Sequence, residues 1–240
     1  MGHAGDAAFR LVLATDLDDT LVGDPEALAE LNSHLARRRS RVFLIYLTGR
    51  HSFSAVRLIC AEALLLPDVL VSDAGTIVRY RPAFRRDRAW ESRFAARWPG
   101  EEVRTVAAGV PGLTAQAIHS PWRCAYYLED ERALPRLVEA LAGLAVRVVA
   151  TGRCVDVIPA GAGKGAALDY LVARFGLPAA QLLVCGDGGN DLDMLRLGYR
   201  GVLVGNGKIS PSLLPPTVYQ AREPFAAGIL EALRHFDLLP

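Results

Sequence analysis

The amino-acid sequence predicts an α/β protein: a doubly wound parallel sheet with a separate α+β unit inserted into it. Over residues 1–80, and again over 160–240, short apolar runs alternate with segments of helical period, the rhythm of parallel strands joined by crossover helices. From 81 to 159 that rhythm lapses into strand-like runs split by a helix. Several of the apolar runs stop abruptly in polar clusters, and in open α/β sheets ligands bind at those carboxyl ends.

In chain order, Leu11-Val12-Leu13-Ala14 reads as a buried strand that delivers Asp16-Leu17-Asp18-Asp19-Thr20. Asp24-Pro25 opens a helix, Asp as N-cap and Pro in the first turn, with Leu28, Leu31 and Leu35 at helical spacing. A second buried strand, Val42 to Leu47, ends in Thr48-Gly49-Arg50; a helix from about Ser52 to Leu65 and a strand from Val69 to Val71 follow. In the insert, Arg123 to Leu128 is strand-like, Leu134, Leu137, Val138 and Leu141 mark a helix, and Val146–Val149 and Val155–Ile158 flank a turn at Thr151-Gly152. The parallel rhythm resumes at Gly163-Lys164-Gly165, which starts a helix stopped by Gly176. Leu182 to Cys185 is a strand ending in Gly186-Asp187-Gly188-Gly189-Asn190-Asp191. Val202–Val204 is another, and Phe225, Ile229, Leu233 and Phe236 mark a closing helix.

Composition narrows the function classes. A chain of 240 residues, 51% hydrophobic, can bury a sizeable core. With a net charge of +1 and scattered basic residues it offers no nucleic-acid stripe, and Arg37-Arg38-Arg39 and the Arg79–Arg88 stretch read as solvated faces. No run approaches 18 apolar residues, so no membrane span is expected. Cys60, Cys124, Cys154 and Cys185 show no C-x-x-C spacing and read as reduced, packed thiols. The expectation is a cytoplasmic monomer acting on a small molecule.

The polar clusters point to phosphoryl transfer. Asp16 and Asp18 would share one face if the strand continued, or fan around one cavity if the chain turned after the first. Carboxylates held so close repel, and Mg²⁺, a hard cation with oxygen ligands, suits them. One Asp could attack as a nucleophile while the other moves a proton. Thr48, neighbouring backbone amides and Lys164 could receive phosphate oxygens; Asp187 could complete the coordination, with Asp191 and Asn190 orienting water or Lys164.

In the order DLDDT, LTGR, GKG and GDGGND, with an insert between the second and third, these motifs resemble those of the haloacid-dehalogenase superfamily of phosphatases. The resemblance implies a Rossmann-like core and an inserted α+β cap that sets substrate specificity. It implies that Asp16 is the nucleophile that forms an aspartyl-phosphate and also a metal ligand, and that Asp18 is the acid and base, with its carbonyl on Mg²⁺. It assigns Thr48, Gly49, Lys164 and Asn190 to phosphate binding, and Asp187 and Asp191 to the metal site. A carboxylate at Asp18 favours a phosphatase or mutase over a dehalogenase or transport ATPase.

Over most of its length, through TDLDDTLVGD, SPWRCAYYLE, LLVCGDGGND and AAGILEALRHFDLLP, the chain is similar to bacterial sucrose-phosphate phosphatases. That likeness implies a sugar-phosphate substrate, sucrose-6-phosphate first, with another disaccharide phosphate such as mannosylfructose phosphate as the alternative. Arg50, Arg123, Tyr126, Arg153 and Asp156 are the candidate sugar contacts. Departures lie in the cap and its border, where the family's G-K-D is Gly152-Arg153-Cys154 and its P-W-K is Pro121-Trp122-Arg123. Lys and Arg differ in donor geometry, and a lost carboxylate removes an acceptor for sugar hydroxyls. A phosphomutase would need a second phosphate site, for which the insert offers only Arg85, Arg86 and Arg88. A non-catalytic sugar-phosphate-binding domain, for instance beside a sugar-phosphate synthase, would not need the repelling carboxylates.

Overall fold

The computed structural model describes residues 10–239; residues 1–9 of the expected core segment lie outside the described residues. In chain order the elements are β1 (Leu11–Thr15), α1 (Pro25–Arg37), β2 (Val42–Leu47), α2 (Ser52–Ala61), β3 (Val69–Ser72), β4 (Ile77–Tyr80), β5 (Arg85–Arg86), α3 (Arg88–Ala95) and α4 (Gly100–Ala108). They continue with β6 (Leu113–Ala115), β7 (Cys124–Leu128), α5 (Ala133–Ala140), β8 (Val146–Thr151), β9 (Cys154–Pro159) and α6 (Lys164–Phe175). The last are β10 (Leu182–Gly186), α7 (Leu192–Leu195), β11 (Arg200–Leu203), β12 (Val218–Gln220) and α8 (Phe225–His235).

One sheet of eight strands runs in the order β12-β11-β10-β1-β2-β3-β4-β5, parallel from β12 to β3 and antiparallel at β4 and β5. Its two faces follow from strand alternation. Leu11 and Leu13 pack with α1, α2 and α8 on one side, while Val12 and Ala14 pack with α3, α6 and α7 on the other. A second sheet, β6-β7-β9-β8, is antiparallel and covered on one face by α4 and α5. Among the described residues no helix is long and apolar enough to cross a membrane.

Four expectations are corrected. The lapse of rhythm puts the insert's start at 81, but β5 joins the large sheet and Trp90 and Phe94 of α3 fill that sheet's core, with Trp90 Nε1 donating to the Gly75 carbonyl at 3.2 Å. The large sheet therefore continues through Arg86. Helix α2 ends at Ala61 rather than near Leu65, because Ala63 takes a left-handed φ of 49° and turns Leu64 into the core. Of the cysteines, Cys124 and Cys185 are buried but Cys60 and Cys154 are exposed. The arginine runs are not wholly solvated either: Arg39 pairs with Asp68 at 2.9 Å, and Arg86 with the buried Glu91 at 2.7 Å.

Candidate active site

Parallel strands end together, so β1, β2 and β10 deliver their polar clusters to one edge. The Asp16 N–H donates to the Cys185 carbonyl at 3.1 Å, and the Thr48 N–H to the Val71 carbonyl at 2.9 Å. Asp19 adopts a left-handed φ of 57°, which Asp tolerates. The chain thus turns directly after Asp18, and the two carboxylates fan around one cavity instead of sharing a strand face.

Lys164 reaches them from the first residue of α6. Two glycines permit that approach: Gly75, at φ +91°, lies so close to Gly163 that an added Cβ would stand 2.1 Å from the Gly163 carbonyl carbon and 2.5 Å from the Lys164 nitrogen. The Lys164 Nζ sits 2.7 Å from Asp16 Oδ1 and 2.7 Å from Asp191 Oδ1. Asp191 uses its other oxygen to hold the N–H groups of Asp187 and Gly188, at 3.0 and 3.1 Å. Asp187 Oδ1 accepts from the Thr20 hydroxyl at 3.0 Å.

Burial pushes Asp16 up to about 8, with Lys164 pulling down and Asp191 adding to the rise. Burial, reinforced by the Asp191 charge, also pushes Asp187 up to about 6. Burial opposes the Lys164 charge, yet Asp16 and Asp191 hold its ammonium above the ordinary range. Oxygens of Asp16, Asp187 and Asp191 lie within 4.8 Å of one another. Three buried carboxylates against one ammonium leave a deficit of positive charge, and an all-oxygen donor set fits a hard divalent cation. Asp18's side chain stands apart from this cluster, gripped by Arg50 at 2.6 and 2.7 Å.

The cluster opens into a cavity of about 1160 Å³ between the two sheets. Asp16, Asp18, Gly49, Arg50, Arg123, Asp156, Lys164, Asp187 and Asn190 line it. Thr48 is fully buried behind it, its hydroxyl oxygen accepting the Arg50 N–H at 3.0 Å. Arg123 donates from Nε to Asp156 Oδ1 at 2.7 Å and from Nη1 to the Gly49 carbonyl at 2.6 Å, tying the smaller sheet to the turn after β2.

Two of the expected sugar contacts lie elsewhere. Tyr126 packs with Cys124 and Leu128 in the cluster under α4 and α5, whereas its neighbour Tyr127 lines the cavity. The register explains this: Ala125 pairs with Asp156 and Tyr127 with Cys154, and side chains alternate along a strand. Arg153 turns away, donating to the Leu128 carbonyl and pairing with Glu129 at 3.0 Å. Also missed were Gln116 and His119, which follow β6, and Arg147, whose pair with Asp193 at 2.8 Å makes a second bridge between the sheets. Nothing local marks any of these: the run Cys124 to Leu128 is apolar or aromatic throughout, so no alternation separates Tyr127 from Tyr126.

The fold is that of solved haloacid-dehalogenase-superfamily phosphatases, among them the subclass IIB sugar phosphatase BT4131, which matches with a TM-score of 0.72 at 19% identity over 95% of this chain. A family model described as sucrose-6F-phosphate phosphohydrolase matches residues 9–237, and the chain belongs to that family. Sucrose-phosphatase 1 of Nicotiana tabacum is 31% identical over 259 residues, which cover 98% of this chain and 61% of the tobacco protein. The chain thus spans about three fifths of that relative's length. The X-ray structure of the sucrose-phosphatase from Synechocystis sp. PCC6803, in complex with sucrose and phosphate, matches with a TM-score of 0.88 and 33% identity, over 95% of this chain and 98% of that one. Mannosylfructose-phosphate phosphatase of Agrobacterium fabrum is 28% identical over 95% of this chain and 98% of its own.

Proposed function

We propose that the chain is a Mg²⁺-dependent phosphatase that converts sucrose-6-phosphate to sucrose and phosphate. The observation that carries the reading is the Lys164 ammonium held between Asp16 and Asp191 at the floor of a cavity that the smaller sheet also lines. Membership of the sucrose-6F-phosphate phosphohydrolase family, and the likeness to a structure that contains sucrose and phosphate, support the choice of sugar. Mannosylfructose phosphate is the second reading, favoured by a relative of matching length.

In this mechanism Asp16 attacks phosphorus as the bond to the sugar oxygen breaks, and Asp18 supplies that oxygen with a proton. Water, giving its proton to Asp18, then displaces Asp16 and releases phosphate. Thr48, Lys164 and the backbone N–H groups beside Gly49 and Asn190 receive the phosphate oxygens. Mg²⁺ held by Asp16, Asp187 and the Asp18 carbonyl would offset negative charge on nucleophile and phosphate. Asp191 fixes Lys164 and the loop that carries Asp187. Arg50, Arg123 and Asp156, with Tyr127 in place of Tyr126, face the sugar. The unit from 87 to 159 acts as the specificity cap on the catalytic core, α3 serving as its anchor to the core. The enzyme works as a cytoplasmic monomer, a setting that suits its four free thiols, and a sugar-phosphate synthase is the partner that would supply its substrate.

Phosphate release with Mg²⁺ tests the reading on sucrose-6-phosphate, mannosylfructose phosphate, trehalose-6-phosphate, glucose-6-phosphate and fructose-6-phosphate. The expected result is a kcat/KM for sucrose-6-phosphate at least about 100-fold above the monosaccharide phosphates, since a site that pairs sugar hydroxyls rejects analogues lacking them. Equal activity across the panel would refute the sugar assignment, and no activity on any ester would refute the chemistry.

A further inference from the structure

We propose that Arg50 is a positioning residue for the second half of the reaction, holding the Asp18 carboxylate where it takes a proton from the water that hydrolyses the phosphoenzyme. The proposal rests on the reading of Asp18 as the acid and base. Arg50 meets both Asp18 oxygens with its planar fork, Nε donating to Oδ2 at 2.7 Å and Nη2 to Oδ1 at 2.6 Å. Two parallel N–H donors fix the carboxylate in orientation as well as distance.

The fork is itself prepared in advance. Arg50 Nη1 donates to Ser54 Oγ at 3.0 Å, one helical turn away on α2. Its backbone N–H donates to Thr48 Oγ1 at 3.0 Å, and its carbonyl accepts the Asp73 N–H at 2.8 Å. Side chain and main chain are therefore referenced to the same β2 and β3 ends that place the phosphate-binding turn. Supporting bonds of this kind keep a reacting group within the narrow tolerance that proton transfer needs.

With both oxygens accepting from the fork, the Asp18 carboxylate is held in one orientation. In hydrolysis of the phosphoenzyme the water oxygen bonds to phosphorus and the bond from phosphorus to Asp16 breaks. The electron pair returns to the Asp16 carboxylate, and the water proton passes to Asp18. In phosphorylation Asp18 gives a proton instead, so one oxygen must turn toward the leaving group. A phenolate leaving group needs no such proton, and p-nitrophenyl phosphate therefore isolates the second half.

The two side chains are 35% and 45% exposed, so the pair contributes little to folding and Arg50→Met is expected to fold. Stopped-flow release of p-nitrophenolate with Mg²⁺ is the test, with a circular dichroism melt as the folding control. Arg50→Met is expected to keep the first turnover within about 3-fold of wild type. Its steady-state rate is expected to fall about 10- to 100-fold, a part of what a general base contributes. The result is a burst approaching one phenolate per site, and Arg50→Lys, with one donor in place of the fork, should recover part of the steady rate.

Loss of burst rate and steady rate together would overturn the proposal. So would unchanged rates alongside a raised KM for sucrose-6-phosphate, which would make Arg50 a sugar contact only. Failure of the phosphatase reading is distinguishable, because then the wild-type chain itself would release no phenolate.

Discussion

Replacing Arg123 with Ala should cost far more than the loss of a surface ion pair. The Arg123 and Asp156 side chains are only 6% and 13% exposed, and 2.7 Å separates Nε from Oδ1. Without Arg123, Asp156 is a buried carboxylate without its partner, and breaking a buried pair from one side costs about 3–5 kcal/mol. In a domain of 150–250 residues each kcal/mol moves Tm by about 2–4 °C, so the melting temperature should fall by roughly 6–20 °C at pH 7. Burial raises the Asp156 pKa, Arg123 opposes the rise, and removing Arg123 lets it go higher. A carboxyl raised in the folded state binds its proton more tightly there than in the unfolded chain. The stability tied to that proton is lost as pH rises through the folded pKa, so the deficit of Arg123→Ala should shrink from pH 7 toward pH 4. The double variant Arg123→Met with Asp156→Leu should recover at least half of the loss, because it leaves no charge unpaired. Calorimetric melts across that pH range are the assay. A drop below about 2 °C at pH 7, or a deficit that grows on acidification, would show that Asp156 does not depend on Arg123 as a buried partner.

Metal-free protein should lose stability as pH rises from about 4 to 8, because Asp16 and Asp187 are both raised in the folded state, to about 8 and about 6. Added Mg²⁺ should raise Tm more at pH 8 than at pH 5, since its ligands must be deprotonated; thermal melts with and without Mg²⁺ check the sign. Gly75→Ala, whose Cβ would meet the Gly163 and Lys164 backbone at 2.1 and 2.5 Å, should destabilise the protein by about 1–3 kcal/mol or more and lower kcat about 100-fold by shifting Lys164. Denaturant melts and phosphate release report the two effects separately. Tyr126→Ala should cost about 3–5 kcal/mol of stability with little change in KM. Tyr127→Ala should raise KM for the sugar phosphate while leaving the melt nearly unchanged, and the two variants together test which face of β7 meets the substrate.

The polar edge of the large sheet was legible because it is local: an apolar run that stops at Asp16, another that stops at Thr48, a third that stops at Asp187, and a helix that begins at Lys164. Each pairs a buried strand or helix start with a polar residue that has no place in a core. The cap was less legible because its side chains are assigned by pairing register, which no single run encodes. Tyr126 and Tyr127 are chemically identical, and only the pairing of Tyr127 with Cys154 shows which faces the cavity. Arg153 looked like a ligand until the hairpin turn carried it toward Glu129. The border of the insert failed for another reason. The strand Arg85–Arg86 is two residues long and has no period to read, and Trp90 betrays its core position only through what packs on it.

Borohydride trapping during turnover of sucrose-6-phosphate tests the proposed nucleophile. Reduction of an acyl phosphate converts the aspartate that carries it to homoserine, which peptide mass spectrometry locates. Homoserine is expected at Asp16 and is expected to be absent in Asp16→Asn. Phosphate release without a trapped residue, or homoserine at Asp18 or Asp187, would contradict that assignment.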